Sequence, residues 1–394
     1  MRDQALRQLR LVALGALSGL LAGLASWALL ESLQRVTRYR LDHGWLVWLL
    51  PLAGLLIGIV HERWGGVAVR GNALLVDEIH EPTAWVPRRM APLIFAGTVV
   101  SHVFGASVGR EGTALQMSGS LTDHASRLLR VPPTDRRLLL LVALASGFGS
   151  VFGVPWAGAL FCIEVQPIGR TRFAAVPAAL VAAFTGDAVV RGLGYHHEAM
   201  PHLHLGVTPL VVLKVAVLGI ACGLTARVFT TSAHSLGAWA ARVLPSRPSR
   251  LFAGGVVNVV LIAIVGRAYV GLSLPLIDGV LAGHHPAGGA FALKVVFTVL
   301  ALGFGYPGGE VTPLFVVGAT LGGALAGPLH LGVRALGSLG FVAVFAGAAN
   351  APLTCTVMAM ELFGPKAALL ALVASGCSWL CSHHDGLYVH HPAH

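Results

Sequence analysis

Long apolar runs separated by short polar breaks make up this chain. They lie approximately at 11–30, 45–60, 91–106, 138–165, 172–190, 208–232, 251–271, 288–304, 311–333, 339–363 and 367–381. At ~1.5 Å per residue, about 20 apolar residues cross the ~30 Å hydrocarbon core of a bilayer as a straight helix. The first run has that length, whereas 45–60 and 91–106 fall short of it. Two of the longest runs are interrupted, at Gly153-Val154-Pro155 and at Asn350-Ala351-Pro352. Short and broken apolar segments predict membrane helices that stop near the midplane, as in many transporters. A backbone end at that depth is tolerated only where it lines a cavity or binds something.

Composition removes the soluble alternatives. Apolar residues are 55% of the 394, charged residues 11%, and mean hydropathy is +0.76. A soluble domain carries roughly 25% charge, so a cytosolic enzyme, a disordered chain and a secreted disulfide scaffold are all excluded. The expected fold class is an all-α polytopic membrane protein. Its 49 glycines and 21 prolines predict helices that pack closely and are often broken.

The net charge of +10 comes from arginine-rich loops that set topology and meet anionic headgroups. No basic run is interleaved with aromatics, so no nucleic-acid partner is expected. Arg2, Arg7 and Arg10 precede the first run and Arg35, Arg38 and Arg40 follow it, so flanking charge does not orient the chain. That run is too long for a signal-peptide core and is read as a retained first membrane helix.

Two halves of the chain carry the same punctuation. Gly109-Arg110-Glu111-Gly112-Thr113 opens an apolar helix, followed by the Pro155 break and Glu164. Gly308-Gly309-Glu310-Val311-Thr312-Pro313 opens another, followed by Pro352 and Glu361. Glu111 to Pro155 is 44 residues and Glu310 to Pro352 is 42, while each proline lies 9 residues before its glutamate. The expected organisation is a first membrane repeat at 1–190, an inter-repeat loop at 191–206 and a second repeat at 207–382. A short tail at 383–394 is too small for a soluble regulatory domain. The loop carries His196, His197, His202 and His204 and reads as a polar, solvated connection.

The candidate chemistry sits at three glycine-flanked helix starts, at Gly71-Asn72, Gly109–Thr113 and Gly308–Thr312. A first turn offers unpaired N–H groups and the positive end of the macrodipole, and glycine lets that backbone approach an anion. A glutamate at such a place, Glu111, is expensive in a membrane unless it is used. Its carboxylate can occupy the site built for the substrate anion and leave it on protonation, so one residue can exchange an anion for a proton. The simpler reading of Asn72, Glu111 and Glu310 is helix capping. Asp77, Glu78, His80 and Glu81 read as a polar turn facing water.

No catalytic residues, metal site or cofactor are expected. His61-Glu62 and His80-Glu81 lack the second histidine of a zinc protease helix, and Gly105-Ala106-Ser107-Val108 lacks a distant histidine partner. Cys162, Cys222, Cys355, Cys377 and Cys381 read as small packing residues.

The stretches at 71–72, 109–113 and 308–313, with Tyr388 late in the chain, resemble the CLC family of anion channels and anion/proton antiporters. The resemblance spans most of the chain in the family's order. It implies a homodimer in the lipid bilayer with a pore in each subunit, and inverted-topology repeats of broken and tilted helices. It makes Glu111 the external gating glutamate and assigns the anion to Asn72, Arg110, Gly112, Val311, Thr312 and Tyr388. Asn72 in place of the usual serine, Thr113 in place of proline, and the Glu310…Thr312 pair look like the fluoride/proton antiporter branch. Val165 stands where many proton-coupled chloride members have a second glutamate, and Glu310 with Thr312 is the natural substitute. The function implied is a proton-coupled fluoride exporter of the bacterial inner (plasma) membrane. The alternative is a chloride channel or chloride/proton antiporter of the same family. Fluoride is strongly hydrated, so its removal from water calls for good donors, which the carboxamide of Asn72 supplies.

Overall fold

The computed structural model describes residues 2–165, 173–382, 386 and 387. Among these the regular structure is helical. The first half holds α1 (Arg2–Asp42), α2 (Leu50–Val60), α3 (Asn72–His80), α4 (Met90–Val103), α5 (Glu111–Leu128), α6 (Pro133–Phe152), α7 (Pro155–Glu164) and α8 (Val176–Gly192). The second half holds α9 (Pro209–Val243), α10 (Arg247–Val265), α11 (Leu274–Ala282), α12 (Ala290–Gly303), α13 (Val311–Leu329), α14 (Val333–Ala349), α15 (Pro352–Phe363) and α16 (Ala368–Cys381).

The two interrupted runs break where glycine, asparagine and proline require it. α6 ends on Gly153 at φ +71°, and Pro155 is the first residue of α7. α14 ends on Asn350 at φ +55°, and Pro352 opens α15. A left-handed residue stops a helix, and proline at the first position starts the next at no hydrogen-bond cost. The first apolar run is shorter than the helix that contains it. α1 covers 41 residues because its polar ends are themselves good helix formers.

Six stretches are long and apolar enough to cross a membrane, while α4, α12, α15 and α16 have 12 to 14 residues. Helices approach closely through small residues. A methyl group at Gly15, Gly19 or Gly23 of α1 would press on a carbonyl oxygen of α8, at Ala178, Ala182 and Gly186. That ladder at four-residue spacing is how membrane helices gain contact without a hydrophobic driving force.

The halves repeat at an offset of 200 residues. α4 and α12 each end on Phe-Gly, at Phe104-Gly105 and Phe304-Gly305, with the glycines at φ +83° and +97°. α5 and α13 then begin at 111 and 311. The relationship is inverted where the halves touch. Gly109 and Gly309 form an antiparallel bridge, with each N–H donating to the other's carbonyl. α7 and α15 also run antiparallel, and each carries in its last turn a glutamate that reaches the start of the other. Trp156 and Ala157 donate their N–H groups to Glu361 at 3.0 and 2.8 Å. Leu353 and Thr354 donate theirs to Glu164 at 2.8 and 2.6 Å. This explains the equal spacing from proline to glutamate in the two halves.

The acidic cluster at the end of α3 differs from the expected water-facing turn at Glu78. That residue is buried and accepts from Arg136 at 3.1 Å, and Arg136 also donates to Asp123 at 2.6 and 2.9 Å. The guanidinium lies over the Trp85 ring. A buried arginine with two carboxylates fastens α3 to α5 and α6, which fixes the height of Asn72. His197 also departs from the solvated reading. Its ring packs on Gly153 and edge-on to Tyr195. Cys162, Cys222 and Cys355 are free and buried, as expected.

Candidate functional site

Three helix starts converge at the junction of the repeats. Gly71, at φ +60°, turns the chain into α3 and presents Asn72 as its first residue. Arg110 and Glu310 precede α5 and α13. None of the three starts is capped by the preceding residue's side chain, so the capping reading of Asn72 and Glu310 does not hold. Their first-turn N–H groups are left for other partners.

One of those partners is Glu111. Its side chain is fully buried, and Oε2 accepts the backbone N–H of Thr312 at 3.0 Å. The hydroxyl of Thr312 donates to Oε1 in a short contact. Arg110 adds its own N–H to Oε2 at 3.1 Å and Nε to Oε1 at 3.3 Å. The carboxylate of the first repeat thus fills the amide site at the start of the second repeat's helix. Charge-assisted bonds of this kind are the strong ones.

Asn72 and Glu310 face the same point from the other side. A methyl group at Gly112 would stand 3.2 Å from Asn72 Nδ2 and 3.5 Å from Glu310 Oε2. Gly112 is therefore the gap through which the two polar groups reach the site. Asn72 Oδ1 is buried without a hydrogen-bond partner, and the amide's two ends are interchangeable by rotation. Thr113 donates to or accepts from Thr98 at 2.7 Å, a bond that proline there would lack. Val311 is buried at the head of α13. Of the expected site residues, Tyr388 alone lies outside the described residues.

Water-sized space reaches this junction from two directions. One cavity, of about 570 Å³, is lined by Arg38, Arg40, Arg110 and Arg267 together with Glu198 and Asp278. A neighbouring one of about 90 Å³ continues it to Thr312. The other cavity, of about 150 Å³, is lined by His61, Gly71, Gln116, Arg247 and Gly308. α10 runs from Arg247 in the second cavity towards Arg267 in the first, 19 residues or about 28 Å. The cavities consequently open on opposite faces, and the Glu111–Thr312 contact lies between them.

Tyr195 and Lys294 were not among the expected site residues. Arg110 Nη1 donates to the Tyr195 hydroxyl at 3.4 Å, which ties the inter-repeat connection to the site. Lys294 is fully buried, with Nζ donating to Ser107, Gly271, Ser273 and Tyr269 at 2.7 to 3.2 Å. A lysine inside an apolar run was the available clue, since charge at that depth marks an ion path. No group of three or more His, Cys, Asp or Glu residues is placed to hold a metal among the described residues.

The chain is similar to known proteins over most of its length. The family described as Voltage gated chloride channel matches residues 62–383. The chain is 47% identical over 389 residues to a "Chloride/fluoride channel protein" of Pseudomonas syringae pv. tomato, covering 96% of this chain and 85% of that one. It is 28% identical over 389 residues to an "H(+)/Cl(-) exchange transporter ClcA" of Cronobacter sakazakii, covering 90% and 82%. Among solved structures it is similar to a CLC-type fluoride/proton antiporter, with a TM-score of 0.93, 27% identity and 96% of both chains covered. It shares its fold with a slow cyanobacterial Cl−/H+ antiporter at a TM-score of 0.82 and 17% identity, over 95% of this chain and 94% of that one.

Proposed function

We propose that this chain, which belongs to the voltage-gated chloride channel (CLC) family, is a fluoride exporter that exchanges the anion for protons. The observation that carries the reading is the fully buried Glu111 carboxylate on the N–H and hydroxyl of Thr312. Ionised, it is a tethered anion in an anion site and blocks passage between the two cavities. An arriving anion competes for the same donors, and a proton taken up by Glu111 weakens its hold on them. Glu310, across Gly112 from Asn72, gives the anion path a second acid-capable group. Thr312 supports both states, because its hydroxyl can donate to a carboxylate or accept from a carboxylic acid.

Fluoride is favoured by the donor set. A small, strongly hydrated anion gains most from N–H and O–H groups that replace its water, and Asn72 adds a carboxamide where a hydroxyl would offer one donor. The printed names of the Pseudomonas relative and of the antiporter structure support fluoride, and that of the Cronobacter relative supports chloride. Fluoride enters cells as the neutral weak acid and is trapped as the ion. Exchange for external protons removes it against its gradient.

The organisation that goes with this function is two repeats, 1–190 and 207–382, in a bacterial inner membrane. Exposed Trp156, Phe184, Leu353, Leu369 and Leu372 on α7, α8, α15 and α16 form an apolar face suited to a second copy of the chain.

Purified protein in fluoride-loaded liposomes tests the proposal with a fluoride electrode and an internal pH dye. The wild type is expected to release fluoride with coupled proton uptake, faster than it releases chloride. Glu111→Ala is expected to abolish proton uptake. Intact coupling in that variant, or equal rates for the two anions, overturns the reading.

A further inference from the structure

The cavity on the Arg247 side ends against a side chain that the exchange described above does not use. Gln116 lies on α5, one turn beyond Gly112 and on the same face. It is 6% exposed, and that exposure is to the cavity it lines with Gly71, His61 and Arg247. Its carboxamide has no hydrogen-bond partner among the described residues. A methyl group at Gly71 would stand 3.2 Å from its Nε2 and 3.3 Å from its Oε1, so the amide lies flat against the start of α3.

The rest of the side chain is enclosed, so the amide can take its partner only from what enters this cavity. The surroundings say what it is aimed at. α3 has nine residues, and the N–H groups of its first turn point towards Gly71. Asn72 supplies the second unpartnered carboxamide, with Oδ1 buried and unsatisfied. The two amides flank one helix start, beside a cavity of about 150 Å³, room enough for an anion and a few waters. Arg247 lines the same cavity and supplies attraction at a distance.

We propose that Gln116 is a second amide donor for fluoride. With Asn72 and the first turn of α3 it forms a dehydration site that the anion occupies before it reaches Gly112, Glu310 and Glu111. Water is exchanged there for N–H groups in two stages, first Gln116 and the helix start, then Asn72. The site prefers a small hard anion, because two carboxamides and a helix end converge closely around fluoride and less well around a larger ion. This inference rests on the fluoride reading and adds a residue that sets its selectivity.

The test is fluoride and chloride binding to the purified full chain by titration calorimetry, alongside fluoride release from liposomes, for the wild type and for Gln116→Leu, Gln116→Glu and Gln116→Asn. Gln116→Leu keeps the volume and removes the donors. It is expected to weaken fluoride binding about tenfold, the loss of one hydrogen bond to an ion, and to narrow the fluoride-over-chloride ratio. Gln116→Glu places a carboxylate at the same point and is expected to lose more. Gln116→Asn retains a donor and is expected to fall between. A general loosening of the fold would not change the ratio of the two anions. If the wild type exchanges fluoride for protons and Gln116→Leu binds it as tightly, the role of Gln116 is overturned and the parent reading stands. If Gln116→Leu does not fold, an unaltered anion ratio in both Gln116→Asn and Gln116→Glu overturns it equally. A wild type that moves no fluoride removes both.

Discussion

Thr312 donates its backbone N–H and its hydroxyl to the Glu111 carboxylate, across 201 residues and from one repeat to the other. The backbone donor belongs to the helix start and survives any side-chain change. The hydroxyl does not.

Thr312→Val separates the two. It keeps the shape and the N–H of residue 312 and removes the O–H. Passage of the anion is expected to continue, and proton-coupled exchange to slow by about tenfold or more, a loss of ~1.4 kcal/mol or more from one charge-assisted bond. Thr312→Ser is expected to stay near wild type. Parallel fluoride and proton fluxes in liposomes decide it, and wild-type coupling in Thr312→Val counts against the contact having a role.

The reciprocal capping of α7 and α15 supports stability at two well-separated points. Glu361→Ala strips Trp156 and Ala157 of their acceptor, and Glu164→Ala does the same to Leu353 and Thr354. Each is expected to lower stability by roughly 1–3 kcal/mol, because two backbone N–H groups facing protein or lipid rather than water are left unpaired. The caps sit at opposite ends of helices ~15 Å long, so the double variant is expected to show nearly the sum. Thermal unfolding in detergent measures it, and a double variant no worse than either single one would contradict independent caps.

The spacing of Pro155 to Glu164 and Pro352 to Glu361 was readable in the chain, as were the helix starts at Asn72, Glu111 and Val311. Gly, Pro and Asn inside apolar runs are local signals, because they act on the backbone at their own position. The reason for the spacing was not readable. It depends on which helix lies beside which, and the bonds join residues 189 to 205 apart. Glu78 misled for the same reason, since its partner Arg136 is 58 residues away on α6. Gln116 sits in a helix rich in polar residues, where nothing local separates it from its neighbours.

His197, in the connection between α8 and α9, gives a pH dependence of known sign. Burial, then the charges of Arg110 and Arg191, push its pKa from 6.5 down to about 4. The unfolded chain takes up a proton near 6.5 and the folded one near 4, so the unfolded state binds more protons between them. The contribution to stability is complete above about pH 6.5 and declines as the pH falls through that window, with no further loss below 4. His197→Gln, which does not titrate, is expected to flatten this part of the profile by ~2 kcal/mol, allowing for the ring's partial exposure. Melting temperatures at pH 7, 5.5 and 4.5 give the slope, and an unchanged slope argues against His197 as its source.

The Gly109–Gly309 bridge limits how large the transport cycle can be. Many transporters with inverted repeats expose their site to alternate faces by rocking one repeat against the other. Here the two backbones are hydrogen-bonded to each other at the proposed anion site, one residue before each repeat's Arg110 or Glu310. A rocking motion would have to break that pair in a buried place at every turnover. In the proposed exchange, access alternates through side chains moving about a fixed spine, and the moving part reduces to a few atoms of a glutamate and a threonine.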